Sequence, residues 1–241
     1  MGRKRRGASG QCRGRSADLI GGESPVDPAV EFQIPGINQV PTKKDIGLSF
    51  ANALRSILRQ DPDIIMIGEI RDTETAEIAI EAALTGHQVL STMHCNDAPG
   101  AIARLDDMGI APFLISSSVI LSCAQRLMRR ICSHCKEPVT YPVKMYEDLG
   151  IDPVTFDGVQ LFRGRGCDRC KQSGYVGRMA IIEAMTISDQ IRKLVIARAS
   201  TREMAKLAVN QGMRTLRMVA LDRARDGIST LEQVLVTTSA Y

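Results

Sequence analysis

Between residues 47 and 60 the apolar positions recur at helical spacing. Phe50, Leu54, Ile57 and Leu58 stand at i, i+4, i+7 and i+8, one face of an amphipathic helix. Asp61-Pro62 stops it, because a proline ring disfavours helical backbone in the residue before it. The pattern then changes. Asp63-Ile64-Ile65-Met66-Ile67-Gly68 is a short continuous apolar run, as expected of a buried parallel strand. A helix is predicted over 73–85, opened by Asp72 or Thr73, with Ile78, Ala79, Ala82 and Ala83 on one face and Gly86 as its stop. Residues 88–94, QVLSTMH, read as a second buried strand. Asp97 caps a further helix that has Pro99 in its first turn and ends near Gly109. Strand–helix–strand–helix in this order implies a right-handed parallel α/β unit.

On either side the patterning differs. Residues 16–45 are rich in Gly, Pro and polar residues and read as loop or short strand. Residues 112–128 read as another helix. Residues 131–180 carry two cysteine pairs, many Gly and Pro, and β-prone pieces such as GRMAIIEAM. Beyond Ile187 the spacing is helical, with short helices predicted at 189–198, 201–211, 215–226 and 230–237. Ser200-x-x-Glu203 and Ser229-x-x-Glu232 have the spacing of capping boxes, and Gly212 and Gly227 stand where helix stops belong. Met204, Met213 and Met218 fall at helical spacing and are expected in the core. No internal repeat is visible. The chain thus divides into 1–22, a basic segment expected to be disordered; 23–130, the α/β core; 131–180, the cysteine-bearing element; and 181–241, a helical region.

Composition narrows the picture. Of the 241 residues 44% are hydrophobic but only 4% aromatic, and Trp is absent, so aliphatic side chains and Met must fill the core. That suits an α/β or helical protein better than an aromatic-rich β-sandwich. The formal net charge is +4. Arg3, Lys4, Arg5, Arg6, Arg13 and Arg15 crowd into the first fifteen residues without an acid, so the rest of the chain is close to neutral. No nucleic-acid partner is expected for such a body. Two readings of the basic segment stay open: contact with an anionic lipid surface or RNA, or a merely solvated start. No apolar run reaches the length of a membrane span, and the basic start lacks the apolar stretch of a secretory signal, so a cytoplasmic location is expected. Of seven cysteines, Cys95 and Cys123 are expected as small buried residues.

Three segments carry chemistry. The apolar strand of DPDIIMIGEIRD ends at Gly68-Glu69, which delivers a carboxylate to the C-terminal edge of a parallel sheet, where open α/β sheets bind ligands. A carboxylate there can orient a magnesium ion or polarise water beside a phosphate. An acid that simply follows a strand is the competing reading. His94 ends the next strand and would share that edge if the strands are neighbours, beside Ser91, Thr92 and Asn96; His87 reads as a structural histidine. The third segment is Cys132-x-x-Cys135 with Cys167-x-x-Cys170. Paired thiolates on two tight turns complete a tetrahedral zinc shell and leave no open position for catalysis. The competitor is a pattern that has lost its metal. His134, inside the first pair, is not needed as a ligand.

The segment RSILRQDPDIIMIGEIRDTETAEIAIEAALTGHQVLSTMHCNDA resembles the shared core of the type II secretion and type IV pilus assembly ATPases, within the secretion superfamily of P-loop hexamers. The resemblance runs from about Val30 to the C-terminus. The tetracysteine element brings the chain nearer the assembly and secretion members than the retraction members. The resemblance implies a parallel-sheet, RecA-like P-loop ATPase core, truncated at its N-terminus, followed by a zinc element and a C-terminal helical region. It makes Glu69 the Walker B acid and His94 the His-box residue near the γ-phosphate. Glu31 would be the last acid of an Asp box, and Arg55 and Arg59 basic residues facing phosphate or a neighbouring subunit. It also implies ATP, Mg2+ and Zn2+ as cofactors, a homo-hexamer, an inner-membrane platform protein as partner, and peripheral association with that membrane.

The sequence departs from the family in two ways. Nothing in it matches Gly-x-x-x-x-Gly-Lys-[Ser/Thr], the phosphate-binding loop that the family carries upstream of the Asp box. The Asp box, Glu-Asp-Pro-Val-Glu in the family, here reads Val26-Asp27-Pro28-Ala29-Val30-Glu31. The expectation is therefore the C-terminal portion of a motor ATPase, hydrolysis-deficient as an isolated chain. The alternative is a non-catalytic zinc-containing assembly module of the same hexameric machine.

Overall fold

A computed structural model describes residues 17–20 (as backbone), 34–42 and 47–238. The chain forms two compact units, residues 1–93 and 94–241. Of the basic segment 1–22, expected to be disordered, residues 17–20 instead form a strand of the first unit's sheet, and the rest, like Glu31, lies outside the described residues.

The first unit is a parallel sheet with strand order β2-β1-β3-β4, from β1 (Ala17–Ile20), β2 (Asn38–Val40), β3 (Ile64–Ile67) and β4 (Gln88–Ser91). Helix α1 (Phe50–Leu58) follows β2. Ser49 caps it, its hydroxyl accepting from the Asn52 amide, and its apolar stripe of Phe50, Leu54 and Ile57 is buried. Helix α2 (Thr73–Leu84) joins β3 to β4. Asp72 is its cap, with the carboxylate accepting from the Thr75 amide at 2.8 Å. Both helices pack on the face of the sheet that carries Ile65 and Ile67, which are fully buried with Leu54, Ala79 and Ala82.

Two expectations change here. Among the described residues, the β3 run is covered on one face only, and β4 is an edge strand rather than a buried one. Met66 and Leu90 are register neighbours on the opposite face and stay 42% and 47% exposed. A continuous apolar run records hydrophobicity on both faces but cannot say which face is covered.

The second unit is built on a long antiparallel pair, β5 (Leu121–Ile131) and β8 (Tyr175–Thr186), in register from Leu121↔Thr186 to Arg129↔Arg178. Before it come α3 (Ala98–Asp107), capped by Asp97, and α4 (Pro112–Ser118). The excursion between the two strands holds α5 (Val143–Asp148) and the short antiparallel pair β6 (Lys136–Val139) and β7 (Leu161–Gly164). After it come α6 (Asp189–Ile196), α7 (Thr201–Asn210), α8 (Leu216–Arg225) and α9 (Leu231–Thr238). One core unites Met128 and Ile181 of the ladder with Leu216, Ala220 and Ala224 of α8, Leu231 and Val234 of α9, and Leu149.

The helix expected over 112–128 stops at Ser118, and its second half is β5. The cause lies in which side chains face inward. Ser122, Ala124 and Met128 are buried while Leu121 and Leu127 are exposed, which inverts the usual sense of strand alternation. The capping box at Ser200–Glu203 forms, with both reciprocal bonds present. The one expected at Ser229–Glu232 does not. Ser229 donates to the Arg129 carbonyl, Thr230 accepts from the Gln233 amide, and Glu232 accepts from the Tyr141 hydroxyl at 2.7 Å. Burial and that carboxylate push the Tyr141 hydroxyl well above its ordinary value. Met204 and Met213 are core residues as expected, but Met218 is exposed. Cys123 is exposed and Cys95 half-buried, against the expectation of two buried thiols.

The neighbouring residues Ile65 and Met66 make a direct test of the one-sided sheet. Ile65→Ala is expected to cost about 2–5 kcal/mol and Met66→Ala under about 1 kcal/mol, read by chemical denaturation of the purified chain.

Candidate functional site

Glu69 follows β3 by two residues and sits at the carboxyl end of the parallel sheet. Its backbone is clamped there from the next strand. The Thr92 hydroxyl donates to the Gly68 carbonyl at 2.6 Å, and the Ile70 amide donates to the Thr92 carbonyl at 3.0 Å. The Glu69 side chain is only 14% exposed and pairs with Arg71, Nη2 to Oε1 at 2.6 Å. Reading the sequence for strand-end acids finds Glu69 but misses Arg71. The signal for Arg71 is its i+2 spacing in an extended segment, which puts both side chains on one side of the chain.

The two arginines at the end of α1, Arg55 in its last turn and Arg59 just beyond it, take different positions. Arg55 pairs with Glu74 of α2 at 2.7 Å and also donates to Asn52. Arg59 is the exposed C-cap residue. His94 is the first residue of the second unit and is exposed. The loop after it is tied to the long ladder. Arg126 of β5 donates to Asn96 Oδ1 at 2.8 Å, and Ser122 Oγ donates to the Ala98 carbonyl at 2.8 Å. The Ala98 amide donates to Glu183 Oε1 of β8 at 2.9 Å. Glu183 is 4% exposed, and its second oxygen accepts from the Leu216 amide at 3.1 Å. Sequence reading passes over Glu183 because an acid in a β-prone run carries no sign of which backbone amides it will meet.

The four paired cysteines converge. Cys132 and Cys135 lie in the turn between β5 and β6, and Cys167 and Cys170 in the turn between β7 and β8. All four sulfurs fall within 4.8 Å of one another. The separations are 3.9 Å for Cys132–Cys167, 3.9 Å for Cys135–Cys170 and 3.6 Å for Cys167–Cys170. Four sulfurs about 2.3 Å from one tetrahedral zinc would stand about 3.8 Å apart, close to these three separations, so the donor set suits that ion.

Backbone amides aim at the sulfurs: Gly166 N at Cys135, and Cys167 N and Gly174 N at Cys170. Burial pushes the Cys170 thiol up, but the Cys167 and Gly174 amides and the adjacent thiols outweigh it and bring it down to about 6. Burial dominates at Cys135 and pushes it up to about 11. The turns can close on each other because two glycines face each other. A Cβ on Gly164 would overlap the Gly174 carbonyl, which itself accepts from the Cys132 amide at 2.9 Å. His134 is not part of the sulfur cluster, and its ring meets Arg169 across the tips of the two turns.

Comparison with known proteins bears on this arrangement. The family described as "Type II/IV secretion system protein" matches residues 24–236. The type IV pilus assembly ATPase PilB of Thermus thermophilus is 50% identical over 213 residues, covering 88% of this chain and 24% of that protein. PilB of Myxococcus xanthus is 52% identical over 214 residues, covering 88% and 38%. The type II secretion system protein E of Pseudomonas aeruginosa is 46% identical over 213 residues, covering 88% and 42%. The chain therefore spans between a quarter and about two fifths of these relatives' lengths. Among solved structures, the pilus retraction motor PilT with bound ADP aligns with a TM-score of 0.62 at 24% identity, over 92% of this chain and 52% of that one. The Legionella pneumophila ATPase DotB aligns with a TM-score of 0.57 at 19% identity, over 92% and 50%. These two likenesses support the fold alone; the match over residues 24–236 and the identities of 46–52% go further, and by them the chain belongs to the type II/IV secretion system ATPase family.

Proposed function

We propose that the chain is the C-terminal part of a cytoplasmic motor ATPase that binds and hydrolyses ATP to power type IV pilus assembly or type II protein secretion. The observation that carries this reading is the identity to pilus assembly and secretion ATPases across nearly the whole chain. In it Glu69 is the Walker B acid, His94 the His-box residue and Glu31 the last acid of the Asp box. The clamped, nearly buried position of Glu69 at the sheet's carboxyl end supports the first of these. Arg55 and Arg59 were candidates for phosphate or subunit contact. The pairing of Arg55 with Glu74 favours a role between α1 and α2, and Arg59 keeps the outward-facing role.

The partners follow from the same reading: a homo-hexamer working at the inner membrane with a platform protein, peripherally bound, with no nucleic acid. Among the described residues no helix is long and apolar enough to cross a membrane. The segments would act as a partial ATPase core over 23–130, a zinc element over 131–180 and a region over 181–241 that is helical beyond the end of β8 at Thr186, behind a basic segment over 1–22.

The residues present do not fit a nucleotide by themselves. Phosphates are held mainly by an amide-rich loop and its lysine, and this sequence has no such motif. A carboxylate such as Glu69 supplies magnesium orientation or water polarisation only once phosphate is held elsewhere. We therefore assign the isolated chain little ATP affinity and no turnover, which also suits the alternative of a non-catalytic assembly module. The tetracysteine shell does fit zinc. Cys132, Cys135, Cys167 and Cys170 would fill all four positions, so the metal would supply cohesion to the β6–β7 excursion and no catalysis.

Two measurements test these readings. Purified chain is expected to show no magnesium-dependent ATP hydrolysis above buffer; clear turnover that disappears in Glu69→Gln would overturn the assignment. Metal analysis is expected to find about one zinc per chain, falling well below half in Cys167→Ser, with chelation melting the cysteine-bearing element first. Native protein with far less than one zinc would remove the metal from the account.

A further inference from the structure

Glu183 is a buried acid that the proposed chemistry leaves unused. It stands on the inner face of β8, and each of its oxygens accepts a backbone amide from a different helix: Oε1 from Ala98, the first residue of α3, and Oε2 from Leu216, the first residue of α8. The first amides of a helix have no partner inside it, and the N-terminus carries partial positive charge, so an anion between two such ends satisfies both. Each helix also has a cap of its own. Asp97 accepts from the Gly100 amide at 2.6 Å, and Thr215 accepts from the Met218 amide at 3.2 Å. Glu183 is thus a shared cap, added to two private ones.

The two ends do different work. Ala98 closes the loop that starts at His94, and Arg126 and Ser122 fix that loop at Asn96 and at the Ala98 carbonyl. Leu216 opens the helix that carries Leu216, Ala220 and Ala224 into the core against α9 and the ladder. A carboxylate is planar and its oxygens are a fixed distance apart. Buried between the two amides, it cannot turn to follow one helix end without leaving the other.

We infer that Glu183 is a positioning residue that couples the N-terminus of α8 to the loop carrying His94 and Asn96. A displacement at either helix end is passed to the other through one side chain. The inference rests on these contacts alone and holds whether or not His94 ever meets a nucleotide.

The test uses the full chain, isotopically labelled, with its metal in place. Thr215→Ala removes the private cap of α8 and leaves the loop untouched. In the otherwise native chain it is expected to shift the resonances of the His94 ring and of the Asn96 and Ala98 amides. In a Glu183→Gln background, where one oxygen becomes an amide donor facing a donor, those shifts are expected to fall by more than about half. Hydrogen exchange at Ala98, at Leu216 or at both is expected to rise about tenfold in Glu183→Gln alone. Ser122→Ala is the reciprocal arm: it is expected to loosen Ala98 and, in the otherwise native chain, to raise exchange at Leu216, a response that is expected to disappear in the Glu183→Gln background. If Thr215→Ala leaves the loop unmoved, or moves it equally in both backgrounds, the coupling does not run through Glu183. If Glu183→Gln does not fold, Glu183→Asp carries the same comparison, since it keeps the charge but withdraws the carboxylate by one methylene. A purely structural acid would lower stability in these variants without changing how far a perturbation at α8 travels.

Discussion

A carboxylate shut away from water must find partners, and Glu183 finds them in the backbone of two helices. Much of the second unit is arranged around that requirement. The ladder of β5 and β8 supplies the acid, and Ser122 and Arg126 supply two further holds on the segment between His94 and α3. Helix α8 brings its stripe of Leu216, Ala220 and Ala224 onto Met128 and Ile181 from the same fixed end. The long antiparallel pair is therefore more than a floor for the core. It sets where one loop and one helix begin.

The ladder also explains how the cysteine element is held. The chain leaves β5 at Ile131, whose amide donates to the Ile228 carbonyl, and comes back at Tyr175, whose hydroxyl meets Thr230. Everything in between is bounded by two tight turns that bring their sulfurs to within 3.6–3.9 Å for three pairs. The excursion does have apolar support, since Leu149, Phe156 and Leu161 join the core of the unit. The turns themselves rest on backbone contact at Gly164 and Gly174 and on amides aimed at sulfur, features that make sense when the sulfurs are thiolates around a cation.

Much of this was legible in the residues, and the failures have a common physical origin. Helix α2 with its Asp72 cap, α3 with Asp97 and Pro99, and the capping box of α7 are local signals, and each forms as the spacing indicates. The strand ending at Glu69 and the convergence of the four cysteines also follow from local spacing. What was misread depends on tertiary choice. Hydropathy could not show that β5 would bury Ser122 and Ala124 while exposing Leu121 and Leu127. Nor could it show that the β3 sheet would be covered on one face, or that Glu232 would be taken by Tyr141 instead of closing a capping box. Glu183 was invisible for the same reason: its meaning lies in the two backbones it meets, neither of which is near it in sequence.

The two candidate chemistries differ in what they require of the rest of a protein. A four-thiolate shell is complete within itself. Its ligands come from two turns of one unit, and nothing outside that unit has to be ordered for the sulfurs to converge. A strand-end carboxylate is incomplete by nature, because it acts on a phosphate that other groups must hold. Glu69 is nevertheless kept in place by Thr92 and paired with Arg71, so its position is specified by the strand and the next strand's end, independently of any ligand. Positioning and binding are thus separate: the strand ends fix the carboxylate, and holding a phosphate is left to other groups. Family membership, which rests on the match over residues 24–236, and turnover, which requires a held phosphate, are distinct properties and are tested separately.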